Sequence, residues 1–344
     1  MKGEVLNIAL IGCGRISKNH FESIKHFPKD LNLVAVCDID EKKAKSAGEK
    51  YGAKHYTNYK EMLNRGDIDV ISICTPSGLH PEHGIMAVEK GINVITEKPM
   101  GITLDSVDKL IKAADKNKVK LFVVKQNRLN TTMQLLKNAI LKNRFGRIYM
   151  VQANVFWQRP QEYYDMADWR GTWEFDGGAF MNQASHYVDA LYWLIGSVES
   201  VTAETGTLAR KIEAEDSGSA VIKFRNGAIG SINVTMLTYP KNYEGSITII
   251  GEKGTAKIGG LAVNNIQKWE FEDYDDDDKI IEQSNYNPPN VYGYGHIPYY
   301  ENVIETLKGN AKANTDGRSG RKSLELILGI YKSAKTGKRV NFPL

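Results

Sequence analysis

The chain has 344 residues, with 45 Lys and Arg against 41 Asp and Glu, and a formal net charge of +4 at pH 7. Hydrophobic residues make up 42% and charged residues 25%, which is typical of a folded globular protein and excludes wholesale disorder. A chain of this length predicts two domains, each large enough to bury its own core. The lysines are scattered rather than clustered, so we expect no nucleic-acid partner.

Membrane, disulfide and metal-site classes are also disfavoured. No apolar run approaches the roughly 20 residues that a membrane helix needs. The N-terminus lacks the basic and apolar segments of a signal peptide, so we expect no membrane partner and a cytoplasmic location. The three cysteines, Cys13, Cys37 and Cys74, lie at or near predicted strand ends without metal-ligand spacing. We therefore interpret them as small apolar fillers and expect no metal site.

The first strong signal is an apolar strand, Ile8 to Ile11, that leads through a glycine-spaced turn into a helix from Lys18 to Lys25. Gly12 allows the tight turn, and Gly14 lets the backbone approach a pyrophosphate that faces the helix N–H groups. Ser17 stands where the third glycine of the dinucleotide-binding motif is expected, and the turn alone is a weak signal. A glycine turn in another kind of parallel α/β protein is the alternative.

The end of the second strand strengthens this interpretation. The strand Leu33 to Cys37 is followed by Asp38, about 20 residues beyond the turn, where a carboxylate can accept hydrogen bonds from an adenosine ribose. A carboxylate there would repel a 2′-phosphate, and no arginine follows it. The sequence therefore predicts NAD rather than NADP as the cofactor.

The periodicity changes near the middle of the chain. From residue 7 to about 125, apolar strands alternate with helical patterns, which is typical of a doubly wound parallel sheet. After about residue 150 the segments alternate polar and apolar residues and are separated by turn signals, which predicts antiparallel strands of an open sheet. We also expect helices at 186–194 and 320–336, and a solvated loop at 275–278. The fold class is thus α/β, with a Rossmann domain at 1–125 and a second α/β domain at 126–344 that has a large, mostly antiparallel sheet. The last helix is expected to pack back on the first domain.

Ligands bind beyond the carboxyl ends of parallel strands, and polar residues follow several of the predicted strands there. Lys98 follows the strand Asn93 to Thr96, near the expected position of a nicotinamide. Partial desolvation beside a cationic ring would lower the lysine pKa and allow proton exchange with a substrate hydroxyl. The alternative is a surface lysine whose stem lies on the sheet edge.

A second cluster lies on the helix predicted after residue 180. Asn182, His186 and Asp189 are spaced i, i+4 and i+7, which would place them on one helix face. A histidine there can exchange a proton with a sugar hydroxyl, although a lone histidine is more often structural. The combination of Lys98 with His186 favours catalysis.

These motifs together resemble the Gfo/Idh/MocA oxidoreductase family over nearly the whole chain. Members of that family join a Rossmann domain to an α/β domain and oxidise or reduce sugar and polyol carbinols with NAD(P). The resemblance implies Lys98 and His186 as the proton-handling pair, beside Asn182. Because the family often has aspartate where this chain has Asn182, and an amide cannot act as a base, proton transfer is expected to rest on Lys98 or His186.

A narrower resemblance comes from the segments around Lys125, Trp157, Asp168 and Asp216. They are similar to the bacterial UDP-N-acetylglucosaminuronate 3-dehydrogenases of surface-polysaccharide synthesis, which oxidise the sugar C3 hydroxyl to a ketone for a partner aminotransferase. Cationic side chains could pair with the diphosphate and carboxylate of such a UDP-sugar acid, and aromatic ones could contact its rings. The expected substrate-binding residues are Lys98, Lys125, Arg159, Tyr163, Arg170, Asn182, Gln183 and His186. The expected cofactor-binding residues are Gly12, Gly14, Arg15, Ile16, Asp38, Thr75, Pro76, His80, Glu97, Lys98, Gln126, Trp169 and Arg170.

Two other functions stay open on the sequence. A dehydrogenase of inositol or a free sugar would need fewer cationic groups in its pocket, and a non-catalytic NAD-binding sensor would not need Lys98 and His186 together. Some relatives recycle tightly bound NAD with 2-oxoglutarate as a second substrate. The resemblance also implies dimers or tetramers, and we expect a homotetramer.

Overall fold

The computed structural model describes residues 5–288 and 291–344. The chain divides into two compact units, one formed by residues up to Val124 with His296–Arg321 and the other by Lys125–Gly295 with Lys322–Leu344. By sequence alone we assign 296–321 to the second domain. In the structure this segment contacts the first unit more than the second, and its Asp316 forms an antiparallel bridge with Phe122 at the edge of the first sheet. The Thr315 hydroxyl donates to the Val123 carbonyl at 2.6 Å, and the Val123 N–H donates to the Thr315 carbonyl at 3.1 Å.

The described residues form the following strands and helices, numbered in chain order. The strands are β1 Leu6–Ile11, β2 Leu31–Cys37, β3 Lys54–Tyr56, β4 Val70–Ile73, β5 Asn93–Thr96, β6 Leu121–Val123, β7 Ile148–Phe156, β8 Val198–Gly206, β9 Ser217–Phe224, β10 Ile229–Thr235, β11 Glu244–Gly251, β12 Gly254–Gly259, β13 Asn265–Phe271 and β14 Val340–Asn341. The helices are α1 Ser17–His26, α2 Glu41–Tyr51, α3 Tyr59–Met62, α4 His80–Val88, α5 Leu104–Asn117, α6 Thr131–Leu141, α7 Gln161–Asp165, α8 Ser185–Ile195, α9 His296–Leu307 and α10 Gly317–Thr336. None of these helices is long and apolar enough to cross a membrane.

The sheet of the first unit is parallel, with the strand order β3-β2-β1-β4-β5-β6. Its central strands β1 and β4 are buried almost throughout, as expected for a parallel sheet whose two faces are both covered. The strand order reverses direction between β1 and β4. Ligands bind at such a reversal in parallel sheets. The strand order and the parallel pairing confirm the predicted Rossmann fold.

The second unit holds an eight-stranded sheet in the order β13-β12-β11-β7-β10-β9-β8-β14. Its neighbouring strands pair antiparallel, except that β7 and β10 are parallel. Strand β9 alternates buried and exposed residues, so one of its faces is covered by the core. The predicted large, mostly antiparallel sheet is confirmed.

Some elements differ from those expected on the sequence. Strands β3 and β14 are not expected from apolar alternation, because they have three and two residues and form through pairing with a neighbouring strand. Helix α10 begins at Gly317, three residues earlier than predicted. The acidic run 275–278 is not a simple solvated loop. Asp278 accepts hydrogen bonds at 2.7 and 2.8 Å from Arg144 and at 2.7 Å from the Trp269 indole, and residues 276–278 lie within the 3₁₀ helix Asp276–Ile280.

A buried ion-pair cluster joins α8 to the chain that follows β6. The Arg128 guanidinium donates two hydrogen bonds, of 2.7 and 2.6 Å, to the Asp189 carboxylate, and the Lys125 Nζ lies 3.7 Å from the same carboxylate. Asp189 is 1% exposed and Lys125 is 2% exposed. Burial by itself raises the pKa of Asp189, but the charges of Lys125 and Arg128 outweigh it and hold that pKa below its usual value.

We predict that Arg128→Ala lowers the free energy of unfolding of the second unit by about 3–5 kcal/mol, because it leaves Asp189 buried with a weaker set of partners. Urea denaturation at neutral pH measures the change. The matched control is Lys223→Ala, since Lys223 is exposed in the same unit and lies 3.1 Å from Glu199, and its loss should stay below about 0.5 kcal/mol. Equal losses in the two variants would contradict the prediction.

Candidate active site

The glycine-spaced turn after β1 has the geometry that a dinucleotide needs. Gly12 has φ +91°, and a Cβ there would lie 2.7 Å from the carbonyl carbon and oxygen of Cys74, so only glycine fits. Gly14 is exposed, and no heavy atom of the described residues lies within 4 Å of the position its Cβ would take. Ser17, in the place of the third glycine, donates a hydrogen bond of 2.6 Å to the Gly14 carbonyl. Arg15 is exposed and Ile16 is half-buried beside this turn.

Asp38 is oriented by the same turn. Its carboxylate accepts a hydrogen bond of 2.8 Å from the Cys13 N–H and one of 2.9 Å from the Asp40 N–H. A carboxylate has about four acceptor positions, so it can also accept from the two hydroxyls of a ribose. The open Gly14 position and the oriented Asp38 thus fit NAD.

Two further loops at the carboxyl edge of the parallel sheet are tied together by His80. Its Nε2 lies 2.8 Å from the Thr75 carbonyl oxygen and its Nδ1 lies 2.8 Å from the Pro99 carbonyl oxygen. Burial lowers the pKa of His80. Thr75 and Pro76 are half-buried. His80 therefore holds the loop after β4 against the loop that carries Lys98, and direct contact of its ring with a cofactor stays a prediction.

The backbone of Lys98 is held by the preceding residue. Its N–H donates a hydrogen bond of 3.0 Å to Glu97 Oε2, while Glu97 Oε1 lies 3.0 Å from His20 Nε2. Burial by itself raises the pKa of Glu97, but the hydrogen bond and charge of His20 and the charge of Lys98 bring it down to about 2. Glu97 thus fixes the backbone position of Lys98. A contact of Glu97 with a cofactor stays a prediction.

The buried histidine His20 completes this network. Its Nδ1 lies 2.7 Å from the Tyr300 hydroxyl and 2.9 Å from the Ser72 hydroxyl. Nitrogen and oxygen atoms of His20, Glu97 and His296 all lie within 4.8 Å of one another. Because both ring nitrogens of His20 are already in hydrogen-bonding contact, this arrangement is better described as a hydrogen-bond network than as a metal site. Sequence reasoning missed it, since His20 and Tyr300 are 280 residues apart.

In the second unit the structure brings together four of the expected substrate-binding residues. Arg159 Nε donates a hydrogen bond of 2.9 Å to Gln183 Oε1, and Gln183 Nε2 donates one of 3.0 Å to the Tyr163 hydroxyl. The Arg159 and Arg170 guanidiniums lie 5.4 and 4.4 Å from the centre of the Tyr163 ring. All four side chains are half-buried. We call Arg159, Tyr163, Arg170 and Gln183 the two-arginine cluster.

Trp169 belongs to the edge of this cluster, since the Arg170 guanidinium lies 4.7 Å from the centre of its ring. Arg159 is also held by the Gln158 carbonyl at 2.7 Å and the Asn242 side chain at 3.3 Å. Guanidiniums bind anions with charge-assisted hydrogen bonds, and two of them lie against the Tyr163 ring in this cluster.

Asn182 and His186 do not share one α-helix. Asn182 lies in a π-helical turn, Ala179–Gln183, and α8 begins only at Ser185. The Asn182 amide donates to the Asp176 carboxylate, which agrees with a positioning role rather than a base. His186 and Asp189 lie three residues apart on α8 and share a face as predicted, whereas Asn182 lies in the preceding π-helical turn. Such π turns are frequent at functional sites.

His186 and Gln126 lie together, with their Nε2 atoms 3.3 Å apart. Gln126 is 2% exposed, whereas His186 is half-buried. Lys125 is buried against Asp189, and its direct contact with a substrate stays a prediction. Sequence reasoning noted Asp189 but did not pair it with Arg128, because nothing in their spacing indicates that contact.

Two protein-family models match most of the chain. Residues 6–125 match the NAD-binding Rossmann fold of the Gfo/Idh/MocA oxidoreductases, and residues 137–342 match their C-terminal α/β domain. Among the curated proteins, D-glucoside 3-dehydrogenase of Escherichia coli K12 is 26% identical over 361 residues, which cover 99% of this chain and 98% of that protein.

Two solved structures are similar over the whole chain. The WlbA dehydrogenase of Bordetella pertussis, in complex with NADH and UDP-GlcNAcA, is 53% identical with a TM-score of 0.98 and covers 100% of this chain and 99% of that one. The WlbA dehydrogenase of Chromobacterium violaceum, in complex with the same two ligands, is 55% identical with a TM-score of 0.96 and covers 100% of this chain and 98% of that one. With both family models matched, this chain belongs to the Gfo/Idh/MocA family of oxidoreductases.

Proposed function

We propose that this enzyme uses NAD to oxidise the C3 hydroxyl of UDP-N-acetyl-glucosaminuronic acid to the 3-keto sugar. The observation that carries the proposal is the whole-chain likeness, at 53% identity, to a dehydrogenase solved with NADH and UDP-GlcNAcA. The E. coli relative is named for oxidation at position 3 of a glucoside, which supports the choice of carbon.

The charges of the second unit suit this substrate. A UDP-sugar acid carries a diphosphate and a carboxylate, and the two-arginine cluster offers two guanidiniums beside the Tyr163 ring. Arg159 and Arg170 would pair with these anions, while Gln183 and Asn182 would accept from or donate to sugar hydroxyls. Lys125, whose ammonium lies beside Asp189, remains a proposed substrate contact.

The chemistry divides between cofactor and protein. Gly12, Gly14, Arg15, Ile16 and Asp38 would hold NAD, which supplies the hydride acceptor when bound. Lys98 would take the proton of the C3 hydroxyl, with His186 assisting, and the hydrogen bond from the Lys98 N–H to Glu97 fixes the backbone that carries the amine. Thr75, Pro76, Gln126 and Trp169 remain proposed cofactor contacts.

The chemistry of the product indicates which reaction would come next. A 3-keto sugar is a substrate for an aminotransferase, which would give a 2,3-diamino sugar acid for lipopolysaccharide O-antigen or another surface polysaccharide. We propose a cytoplasmic homotetramer in which 2-oxoglutarate reoxidises bound NADH. Free NADH accumulating in step with the keto sugar would exclude such recycling, and sedimentation would test the tetramer.

We predict that Lys98→Ala slows the single-turnover reduction of NAD by UDP-GlcNAcA at least ~100-fold, because the hydroxyl proton loses its acceptor. Stopped-flow absorbance of NADH measures the rate, and NAD affinity is measured separately by fluorescence. Lys116→Ala, at an exposed position on α5, is the control and should react like wild type. An unchanged rate in Lys98→Ala would remove Lys98 from the proton path.

We predict that Arg159→Ala raises the KM for UDP-GlcNAcA about 10- to 100-fold, which corresponds to the loss of one charge-assisted hydrogen bond. Steady-state kinetics with Arg147→Ala as the exposed-arginine control measure the change. If instead inositol or a free glucoside is the better substrate and its KM does not respond to Arg159→Ala, the alternative of a free-sugar dehydrogenase is favoured.

A further inference from the structure

The turn that carries Asn182 and Gln183 begins in an unusual way. The first N–H groups of any helix lack acceptors within the helix and are normally bound by a capping side chain. Gly178, which precedes the π-helical turn Ala179–Gln183, has no side chain to do this. The N–H groups are bound instead by two residues distant in sequence, Glu215 and Tyr331.

Glu215 binds two consecutive N–H groups of the turn. Its carbonyl oxygen accepts a hydrogen bond of 3.0 Å from the Ala179 N–H, and its Oε1 accepts one of 2.8 Å from the Phe180 N–H. Glu215 is 3% exposed, and no hydrogen-bond partner of its Oε2 lies among the described residues. A buried carboxylate is costly unless hydrogen bonds compensate for its burial. The contacts of Oε1 with the Phe180 N–H and the Tyr331 hydroxyl supply such bonds.

Tyr331, on α10, binds the flanking N–H groups. Its hydroxyl oxygen accepts from the Gly178 N–H at 3.3 Å and from the Met181 N–H at 3.1 Å, and the hydroxyl donates to Glu215 Oε1 at 2.9 Å. Four consecutive N–H groups, from residue 178 to residue 181, therefore end on this pair of residues. The Tyr331 ring is itself fixed by an edge contact with Trp173, with ring centres 5.1 Å apart.

The glycine at 178 fits this arrangement and no larger residue does. A Cβ at Gly178 would lie 1.6 Å from Glu215 Oε2 and 2.0 Å from its carboxyl carbon, and the three nearest atoms all belong to that carboxylate. The Gly178 backbone, with φ −98°, is one that any residue can adopt. The nearest obstacle to a side chain there is thus the Glu215 carboxylate.

We propose that Glu215 and Tyr331 are positioning residues, which fix the backbone of residues 178–181 and thereby the side chains of Asn182 and Gln183 toward the sugar. The inference rests on the proposed function, because that function assigns Asn182 and Gln183 to the substrate. It adds two residues that act on the substrate through the backbone of the turn rather than by direct contact.

The carboxyl group does not need its charge for this role. Burial raises the pKa of Glu215 to about 7, although the hydrogen bonds from the Phe180 N–H and Tyr331 lower it in part. A proton on Oε2 leaves both contacts of Oε1 in place. Glutamine at 215 can accept the same two hydrogen bonds with its amide oxygen, so it should replace glutamate.

The first test compares two variants at this position. Glu215→Ala should raise the KM for UDP-GlcNAcA at least ~10-fold, since a small misplacement of binding groups has large effects, while the Kd for NAD stays within about 2-fold of wild type. Glu215→Gln should keep the KM within about 3-fold of wild type. Loss of NAD binding in Glu215→Ala, or no rescue by glutamine, would overturn the positioning role.

The second test uses Gly178. Gly178→Ala should raise the KM as Glu215→Ala does, because its methyl group displaces the carboxylate. In the Glu215→Ala background the same substitution should raise the KM by less than about 2-fold further. Multiplicative effects of the two substitutions would contradict the proposal, since they would mean that Gly178 and Glu215 act separately.

The third test needs no substrate and separates this inference from the proposed function. Deuterium uptake by the segment 177–184 should be at least ~10-fold faster in Glu215→Ala than in wild type, and Tyr331→Phe should show a partial increase. Glu270→Ala, which removes an exposed ion pair with Lys268 in the same unit, is the matched control and should exchange like wild type. Unchanged deuterium uptake in Glu215→Ala would overturn the positioning role even if UDP-GlcNAcA is oxidised. Faster uptake in that variant, together with a wild-type enzyme that does not oxidise UDP-GlcNAcA, would overturn only the proposed function.

Discussion

The buried carboxylate of Asp189 is the constraint on which the second unit depends. A buried charge is tolerated only with well-placed partners, and Asp189 has Arg128 and Lys125, which follow β6 directly in the chain. Helix α8 must therefore lie where Asp189 reaches both cations. His186 precedes Asp189 by three residues, so it lies on the same helix face and its position is fixed by the same pair.

In the first unit a buried carboxylate also fixes the residue that is proposed to handle the proton, Lys98. The buried carboxylate of Glu97 binds His20 on one side and the Lys98 N–H on the other. Each of the two residues proposed to handle the proton thus lies next to a buried carboxylate of its own unit. Glu215 gives a third example at the turn before α8. Rigid support of this kind is what a dehydrogenase needs, because the cofactor supplies the redox chemistry and the protein supplies alignment.

The fold was largely predictable because its signals are local. The strands β1, β2, β4 and β5 are continuous apolar runs, Gly12 marks the first turn, and the alternation of β9 indicates an antiparallel sheet. Short edge strands such as β3 were not predictable, because they depend on pairing with a neighbour. The grouping of 296–321 with the first unit was not predictable for a related reason, since the contact between Thr315 and Val123 joins residues 192 positions apart.

The candidate site was predictable as a set of residue types but not as a set of contacts. Arg159, Tyr163, Arg170 and Gln183 were expected near a substrate, and the structure brings them together. For Lys125 and Glu97, contact with a ligand stays a prediction, and the sequence did not indicate their contacts with Asp189 and His20. A sequence shows which side chains carry charge, but the partner of each charge is decided by packing between distant segments.

The central claim is that hydride leaves C3 of a UDP-sugar acid for NAD. The most direct measurement is a single turnover with UDP-N-acetyl-glucosaminuronic acid carrying deuterium at C3, followed by mass spectrometry of the nicotinamide and of the sugar. The account predicts one deuterium in the reduced cofactor and none in the keto sugar. Reduced cofactor without deuterium, formed while the label stays on the sugar, would show that oxidation takes place at another carbon and would contradict the account.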